Sequence, residues 1–192
     1  MLASLRDLRA SDDIQDKAVI SAVEAFTAAA RRQPADGLRH SRIALTHADA
    51  LGISFESLAW AWALAARAAF ELQDIVAIRE LLTLLDSYQP GHIAGMLRAE
   101  RDLVRVRLAA SEGDAAATGA FAAAVTHLRE QSTPYHLAHG LLDHAGYLTL
   151  HGDADAAAEA IDEARVIGRR LRCQPLLDRA DDLELAQAQI RT

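Results

Sequence analysis

The chain of 192 residues is poor in lysine, cysteine and aromatic residues. Lys17 is its only lysine, so nearly all of its 20 cationic side chains are arginines and lysine-based chemistry has a single candidate. The one cysteine, Cys173, cannot form an internal disulfide, which fits a reducing compartment. Aromatic residues make up only 5% of the chain. This composition favours a thin, aliphatic core of stacked helices over one thick globular core.

Long apolar runs and an excess of positive charge are also missing. No run approaches the roughly 20 apolar residues that a membrane-spanning helix needs, and charges within residues 1–10 argue against a signal peptide. The formal net charge of −7 disfavours a nucleic-acid partner, because such proteins usually present a basic face. We therefore expect a cytoplasmic protein whose direct partner is neither a membrane nor a nucleic acid.

Three segments carry the same spacing of apolar residues at a constant interval. In each segment the residues are four and then three apart, as on one face of a helix. The interval is 40 residues, since 117 − 77 and 157 − 117 are both 40. The three triads are Ala77, Leu81, Leu84; Ala117, Phe121, Ala124; and Ala157, Ile161, Ala164. A fixed period of this size indicates a repeat built from helical hairpins, and Ser41, Leu45 and Ala48 indicate a degenerate first copy.

Turn and capping signals divide the chain into hairpins. Glycine followed by aspartate at Gly113 and Gly152 marks two corners, because glycine ends one helix and aspartate caps the next. The predicted hairpins span about residues 12–51, 55–87, 92–130 and 134–171, with a closing helix over about 176–189. No strand pattern is present. We therefore predict an all-α fold, an antiparallel helical-hairpin solenoid that forms a single domain over residues 1–192.

Local patterns give several finer predictions. Ser11 and Ser54 are the predicted N-caps of the first and third helices. The second helix is predicted to run from Asp36 to Leu51. Residues four apart give the first helix a predicted stripe of Ile14, Ala18, Ala22, Phe26 and Ala30. The three-residue spacing of Leu2, Leu5 and Leu8 would allow one more short helix at the start of the chain.

The corner-and-helix pattern resembles the tetratricopeptide repeat (TPR) over about residues 55–171. Trp62, Gly113 and Gly152, with the three triads, match positions of that family. The period of 40 is longer than the family's 34, and Gln73 stands where a corner glycine is expected. The resemblance implies a right-handed TPR-like solenoid whose concave face binds a partner. That face should include Trp60, Arg67, Glu71, Glu100, Arg107, His139, Asp143 and Thr149.

The chain is also similar to the C-terminal helical region of large actinobacterial signalling ATPases, over segments such as ALTHADALGISFESLAWAWALAARAAFEL and TPYHLAHGLLDHAGYL. Those regulators join a nucleotide-cyclase or DNA-binding module to an NTPase core and a TPR-like tail. The similarity covers the tail alone, because the chain has no GxxxxGK[ST] motif. It implies a regulatory role in bacterial signalling.

Histidines cluster in the helix that is predicted to begin at Pro134. His136, His139 and Asp143 lie at positions i, i+3 and i+7, so they share a face that could hold zinc with an open coordination position. Polar groups with ordinary hydrogen bonds are the simpler interpretation, because no HExxH or cysteine-rich spacing supports a metal. His139 and Asp143 could orient a general base, but no nucleophile is placed beside them. We predict no catalytic residue, no metal and no cofactor.

Arginines and tryptophans are the remaining candidates. Arginines at positions 98, 101, 105 and 107 could bind an anion or an acidic peptide, although the interleaved Glu100 and Asp102 favour pairing within the helix. Trp60 and Trp62 are two residues apart and point to different faces. If Trp62 is the buried repeat tryptophan, Trp60 faces a groove or a neighbouring helix.

The predicted function is non-enzymatic. We expect a protein-interaction module that binds a peptide or a protein domain on its concave face. Two alternatives stay open. One is a small-ligand or metal sensor that uses the histidines of the helix from Pro134. The other is homodimerisation through alanine-rich outer helices.

Overall fold

The computed structural model describes residues 10–114 and 116–190, and these residues are all-helical. They contain no strand, so the all-α class is confirmed. The Leu2, Leu5 and Leu8 pattern lies outside them. No helix among them combines the length and the apolar character that crossing a membrane requires. The ten α-helices are α1 (Ile14–Ala30), α2 (Pro34–Leu45), α3 (Ala48–Leu51), α4 (Glu56–Glu71), α5 (Ile75–Asp86), α6 (Gly95–Ser111), α7 (Ala117–Gln131), α8 (Pro134–Leu150), α9 (Ala154–Leu171) and α10 (Gln174–Ile190).

Two predicted caps are wrong. Asp13, not Ser11, caps α1: its carboxylate accepts from the Gln15 amide at 2.7 Å, while the Ser11 hydroxyl accepts from the Asp13 amide. Phe55 holds the N-cap position of α4, without a side-chain hydrogen bond. Ser54 serves another purpose. Its hydroxyl donates to the His92 carbonyl at 2.6 Å and accepts from the Ala94 amide at 2.8 Å, which ties two loops together.

The helix predicted to run from Asp36 to Leu51 is two helices. The first of the two, α2, begins at Pro34, earlier than expected, and ends with Thr46 as its C-cap. The Thr46 hydroxyl donates to the Ile43 carbonyl at 2.7 Å, so it occupies a backbone acceptor at the helix end. The short helix α3 follows and ends at Gly52, which has a φ of +81°.

Four helices end in the same backbone conformation. A residue of positive φ follows each of α1, α4, α6 and α8, and the next amide bonds to the carbonyl five residues earlier, as in a Schellman motif. The corner residues are Arg32, Gln73, Gly113 and Gly152. The amide-to-carbonyl pairs are Gln33 to Ala28, Asp74 to Ala69, Asp114 to Ala109 and Asp153 to Leu148, at 2.9–3.0 Å. The predicted left-handed conformation of Gly113 and Gly152 is therefore confirmed, and Gln73 takes the same conformation without being glycine. The predicted aspartate cap is confirmed at Asp153, but at the other corner Ala116, not Asp114, holds the N-cap position of α7.

The chain divides into two compact units, residues 1–98 and residues 99–192. In the N-terminal unit, α1 packs on α2 and α4, α2 packs on α4, and α4 packs on α5. Trp62 is fully buried there, and its indole N–H donates to the Leu81 carbonyl at 2.9 Å. The single domain over residues 1–192 stays a prediction.

In the C-terminal unit, α8 packs on α7, α9 and α10, and α9 packs on α10. Its core contains Phe121, Leu128, Leu142 and Ile161, each at most 2% exposed. Gly140 of α8 lies against Leu128 of α7. A Cβ atom at this position would collide with a terminal methyl group of the buried Leu128 side chain, so a larger residue here would displace Leu128.

The repeat triads have the packing role that their spacing predicts. Their first positions, Ser41, Ala77, Ala117 and Ala157, are all buried. Their second positions, Leu45, Leu81, Phe121 and Ile161, are buried as well. At the third position Ala48, Ala124 and Ala164 are buried and Leu84 is half-buried. The TPR-like solenoid arrangement itself stays a prediction.

Candidate interaction surface

An apolar groove runs along α1 in the N-terminal unit and reaches α4. Its volume is about 430 Å³. We call it the Trp60 groove. It is lined by Val19, Ala22, Val23, Phe26, Thr27 and Ala30 of α1, by Arg31 at the C-cap of that helix, and by Ser57 and Trp60 of α4. Val23, Phe26 and Trp60 are 45%, 41% and 41% exposed. Large apolar side chains that gather at one exposed site, rather than scattering singly, make that site a candidate interaction surface.

The rotation of side chains around α1 explains why the predicted stripe of this helix is only partly buried. Ala18 and Ala22 are buried, but Ile14, Phe26 and Ala30 are exposed. Steps of four residues advance about 40° beyond a full turn of the helix, so five such positions drift across nearly half of its circumference. The buried face of α1 includes Ala18 and Ala22 of the predicted stripe and continues with Ala25 rather than Phe26. The far end of the predicted stripe is thereby turned into the groove.

A second, polar groove of about 380 Å³ adjoins the first along α1. Arg31 lines both. The other charged groups of the polar groove are paired: Arg39 with Asp36, and His40 with Glu24, each at 2.9 Å. Arg31 is exposed at the C-cap of α1 and forms no ion pair with any residue that the structure describes.

The other residues of the predicted face in the N-terminal unit lie apart from this groove. Arg67 is half-buried on α4, and Glu71 is exposed at the end of that helix. Neither lines the Trp60 groove. Of the predicted binding residues, the groove therefore contains Trp60 alone. It adds Val23, Phe26 and Arg31, which sequence reasoning missed. Phe26 was assigned to the buried stripe of α1, and Val23 and Arg31 were given no role.

In the C-terminal unit the predicted residues form what we call the polar seam, a set of hydrogen-bonded side chains that joins α6, α8 and α10. Asp143 of α8 is its hub. Its carboxylate accepts from Arg107 of α6 at 2.9 Å and also from Arg179 of α10. The other links are Glu100 with His136, Arg179 with His139, and Gln187 with Thr149.

Burial separates the polar seam from an open binding face. Glu100, Asp143 and Thr149 are 1%, 7% and 8% exposed, and each has a partner within the chain. Sequence reasoning grouped Arg107 with Asp143 but missed Arg179. A signal was present, because residues 107, 143 and 179 are separated by equal intervals of 36. Contact of these residues with a partner stays a prediction.

The histidines of α8 do not converge on one point. His136 bonds to Glu100, and His139 lies edge-on against the Tyr135 ring. His144 stacks on Phe121, and His151 stacks on Tyr147. Within residues 10–114 and 116–190, no group of three histidine, cysteine, aspartate or glutamate residues is arranged to hold a metal ion. Burial lowers the pKa of the His144 imidazole, against a smaller opposing effect of the Asp153 carboxylate.

The arginines of α6 point to several different partners. Arg98 donates to the Ile93 carbonyl, and Arg107 belongs to the polar seam. Asp102 lies within 4.0 Å of both Arg101 and Arg105, and it bonds to His127 at 2.9 Å. These contacts agree with pairing inside the helix and its neighbours rather than with one shared anion site.

Comparison with known proteins gives no match: the chain matches no protein-family model, no curated protein and no solved structure.

Proposed function

We propose that this chain is a non-enzymatic protein-interaction module whose Trp60 groove receives apolar side chains of a partner. One observation carries the proposal: Trp60 and Phe26 are large, apolar and exposed, and they line the same groove. The other tryptophan, Trp62, is fully buried, and its indole N–H donates to the Leu81 carbonyl. The resemblance to the tails of signalling ATPases supports a regulatory role for such binding.

Tryptophan is the side chain that most often dominates an interface, because it combines a large contact area with few rotatable bonds. Burying the exposed part of Trp60 removes apolar surface from water at about 25 cal/mol per Å². Its rigid position on α4 limits the entropy that ordering would cost. We therefore expect Trp60 to contribute more to binding than any other residue of the groove.

Selection of binding peptides from a random pool tests the proposal, because it lets the groove itself choose its ligand. Random peptides displayed on phage are selected against the full chain, and the affinities of the enriched peptides are measured for wild type and Trp60→Ala. We expect a loss of about 2 kcal/mol, or roughly 30-fold, for the variant. Binding should also bury Trp60 and so shift the tryptophan emission of the wild type to shorter wavelengths. The shift reports on Trp60, because Trp62 is already buried in the free chain.

Val76→Ala is the matched control. Val76 is 67% exposed on α5 and does not line the Trp60 groove, so its removal should leave the affinities unchanged. Peptides that bind wild type and Trp60→Ala equally well would show that the groove is not the binding surface. Circular dichroism of both variants establishes that they are folded.

A further inference from the structure

We propose that the partner of the Trp60 groove is an amphipathic helix that carries a carboxylate beside one end of its apolar row. The inference rests on the proposed function and specifies its ligand. Two features of the groove support it: the spacing of the apolar residues on α1, and the charge of Arg31 at the end of that row.

The spacing fits a helix. Val19, Val23, Phe26 and Ala30 follow one another at intervals of four, three and four. They extend over twelve residues of α1, or about 16 Å for eleven steps of 1.5 Å. A partner helix would cover the same length with about three turns, presenting apolar residues at i, i+3 or i+4, and i+7. The described residues contain no strand whose edge could instead receive an extended peptide.

The charge of Arg31 then indicates which kind of partner side chain lies beside the apolar row of the partner helix. Arg31 lines the groove one residue beyond Ala30 and is exposed. The neighbouring cation Arg39 already pairs with Asp36, and His40 already pairs with Glu24. Arg31 is thus the cation at this site that no described acid neutralises. A guanidinium binds a carboxylate through two parallel hydrogen bonds, so an aspartate or glutamate of the partner is its natural complement.

The test selects random peptides of about 16 residues, long enough for three helical turns, on wild type, Arg31→Glu, Arg31→Lys and Arg170→Glu. We expect wild type to enrich peptides with an apolar helical row and an adjacent aspartate or glutamate. Arg31→Glu should lose this acidic preference and bind the wild-type peptides about tenfold more weakly. Arg31→Lys should keep the preference. Arg170, exposed on α9 of the C-terminal unit, provides the charge-reversal control, and its variant should behave as wild type.

The outcomes separate this inference from the function on which it rests. Peptides that need Trp60 but show no acidic preference would overturn the inference and leave the proposed function standing. Selection of proline-rich peptides would overturn the helical partner in the same way. Self-association that Trp60→Ala abolishes, seen by light scattering, would assign the groove to a second copy of the chain and overturn the inference. Failure to select any peptide that depends on Trp60 would contradict both.

Discussion

At the residue scale, Ser41 departs from its own repeat. It occupies the position held by Ala77, Ala117 and Ala157 in the later triads, and it is fully buried. Its hydroxyl has no hydrogen-bond partner among the described residues. A buried polar group without a partner keeps its desolvation cost, and alanine is the better helix former. We expect Ser41→Ala to raise the free energy of unfolding by about 1 kcal/mol in denaturant titrations.

Thr149→Val provides the contrast for that prediction. Thr149 is also buried, but its hydroxyl accepts from Gln187 at 3.1 Å and donates to the Ala145 carbonyl. Valine keeps the shape and leaves the buried Gln187 amide without this acceptor. The expected loss is about 1–2 kcal/mol. If Ser41→Ala were the more destabilising of the two, the assignment of an unsatisfied hydroxyl at Ser41 would be wrong.

His144 gives the C-terminal unit a dependence on pH. Burial against Phe121 lowers its pKa in the folded state below the ordinary value of about 6.5. The unfolded chain therefore binds more protons in this range, and stability falls as the pH drops from 7 through 6.5 and below. His144→Phe keeps the ring stack but cannot be protonated. We expect its stability to fall less between pH 7 and pH 5 than that of wild type.

Direct titration by NMR tests the cause of that effect. The His144 imidazole should titrate below the ordinary histidine pKa of about 6.5, because burial disfavours its charged form. A His144 pKa at or above its ordinary value would contradict the explanation, whatever the variant does to stability.

At the element scale, two of the four helix corners, at Arg32 and Gln73, place a non-glycine residue where glycine is favoured. Gln73 has a φ of +57° and holds the same position in its corner as Gly152, whose φ is +81°. A side chain in the left-handed region costs about 1 kcal/mol relative to glycine. We expect Gln73→Gly to stabilise the chain by about 0.5–1 kcal/mol, roughly the amount by which Gly152→Gln should destabilise it. Destabilisation by Gln73→Gly, or stabilisation by Gly152→Gln, would show that the corners are not equivalent.

The polar seam should stabilise the packing of α6, α8 and α10, and the loss of Asp143 tests this. The Asp143 side chain is 2% exposed and lies between Arg107 and Arg179. Its removal would leave two partly buried cations beside each other. We expect Asp143→Ala to cost roughly 2–4 kcal/mol in thermal or denaturant unfolding. Asp162→Ala is the control, because Asp162 is 75% exposed beside Arg165 and should cost under about 0.5 kcal/mol.

How far sequence reasoning reached differs between these elements. The repeat triads were predictable because burial at positions four and three apart follows directly from helical geometry. The bond between Asp143 and Arg179 was not predicted, since sequence does not show which partner a charged residue meets across helices. The groove at Phe26 was missed for a related reason: alanine-rich α1 offers several apolar faces, and only its packing on α2 and α4 decides which one is buried.

At the scale of the whole molecule, each unit has its own core. Leu58 belongs to the N-terminal unit and Leu142 to the C-terminal unit, and both are fully buried. Each leucine-to-alanine substitution should cost about 2–5 kcal/mol. In a protein built from consecutive helical hairpins, most contacts are made between neighbours in sequence, so opening can be confined to the part of the chain that is weakened.

Hydrogen exchange measures that confinement. We expect Leu58→Ala to accelerate amide exchange chiefly in α1, α2, α4 and α5, and Leu142→Ala to accelerate it chiefly in α7 to α10. The two variants control for each other, because they make the same chemical change at equally buried positions. Equal acceleration in both units by either variant would mean that the chain opens as one cooperative body. In that case a partner bound at the Trp60 groove would stabilise α7 to α10 as strongly as α1 and α4.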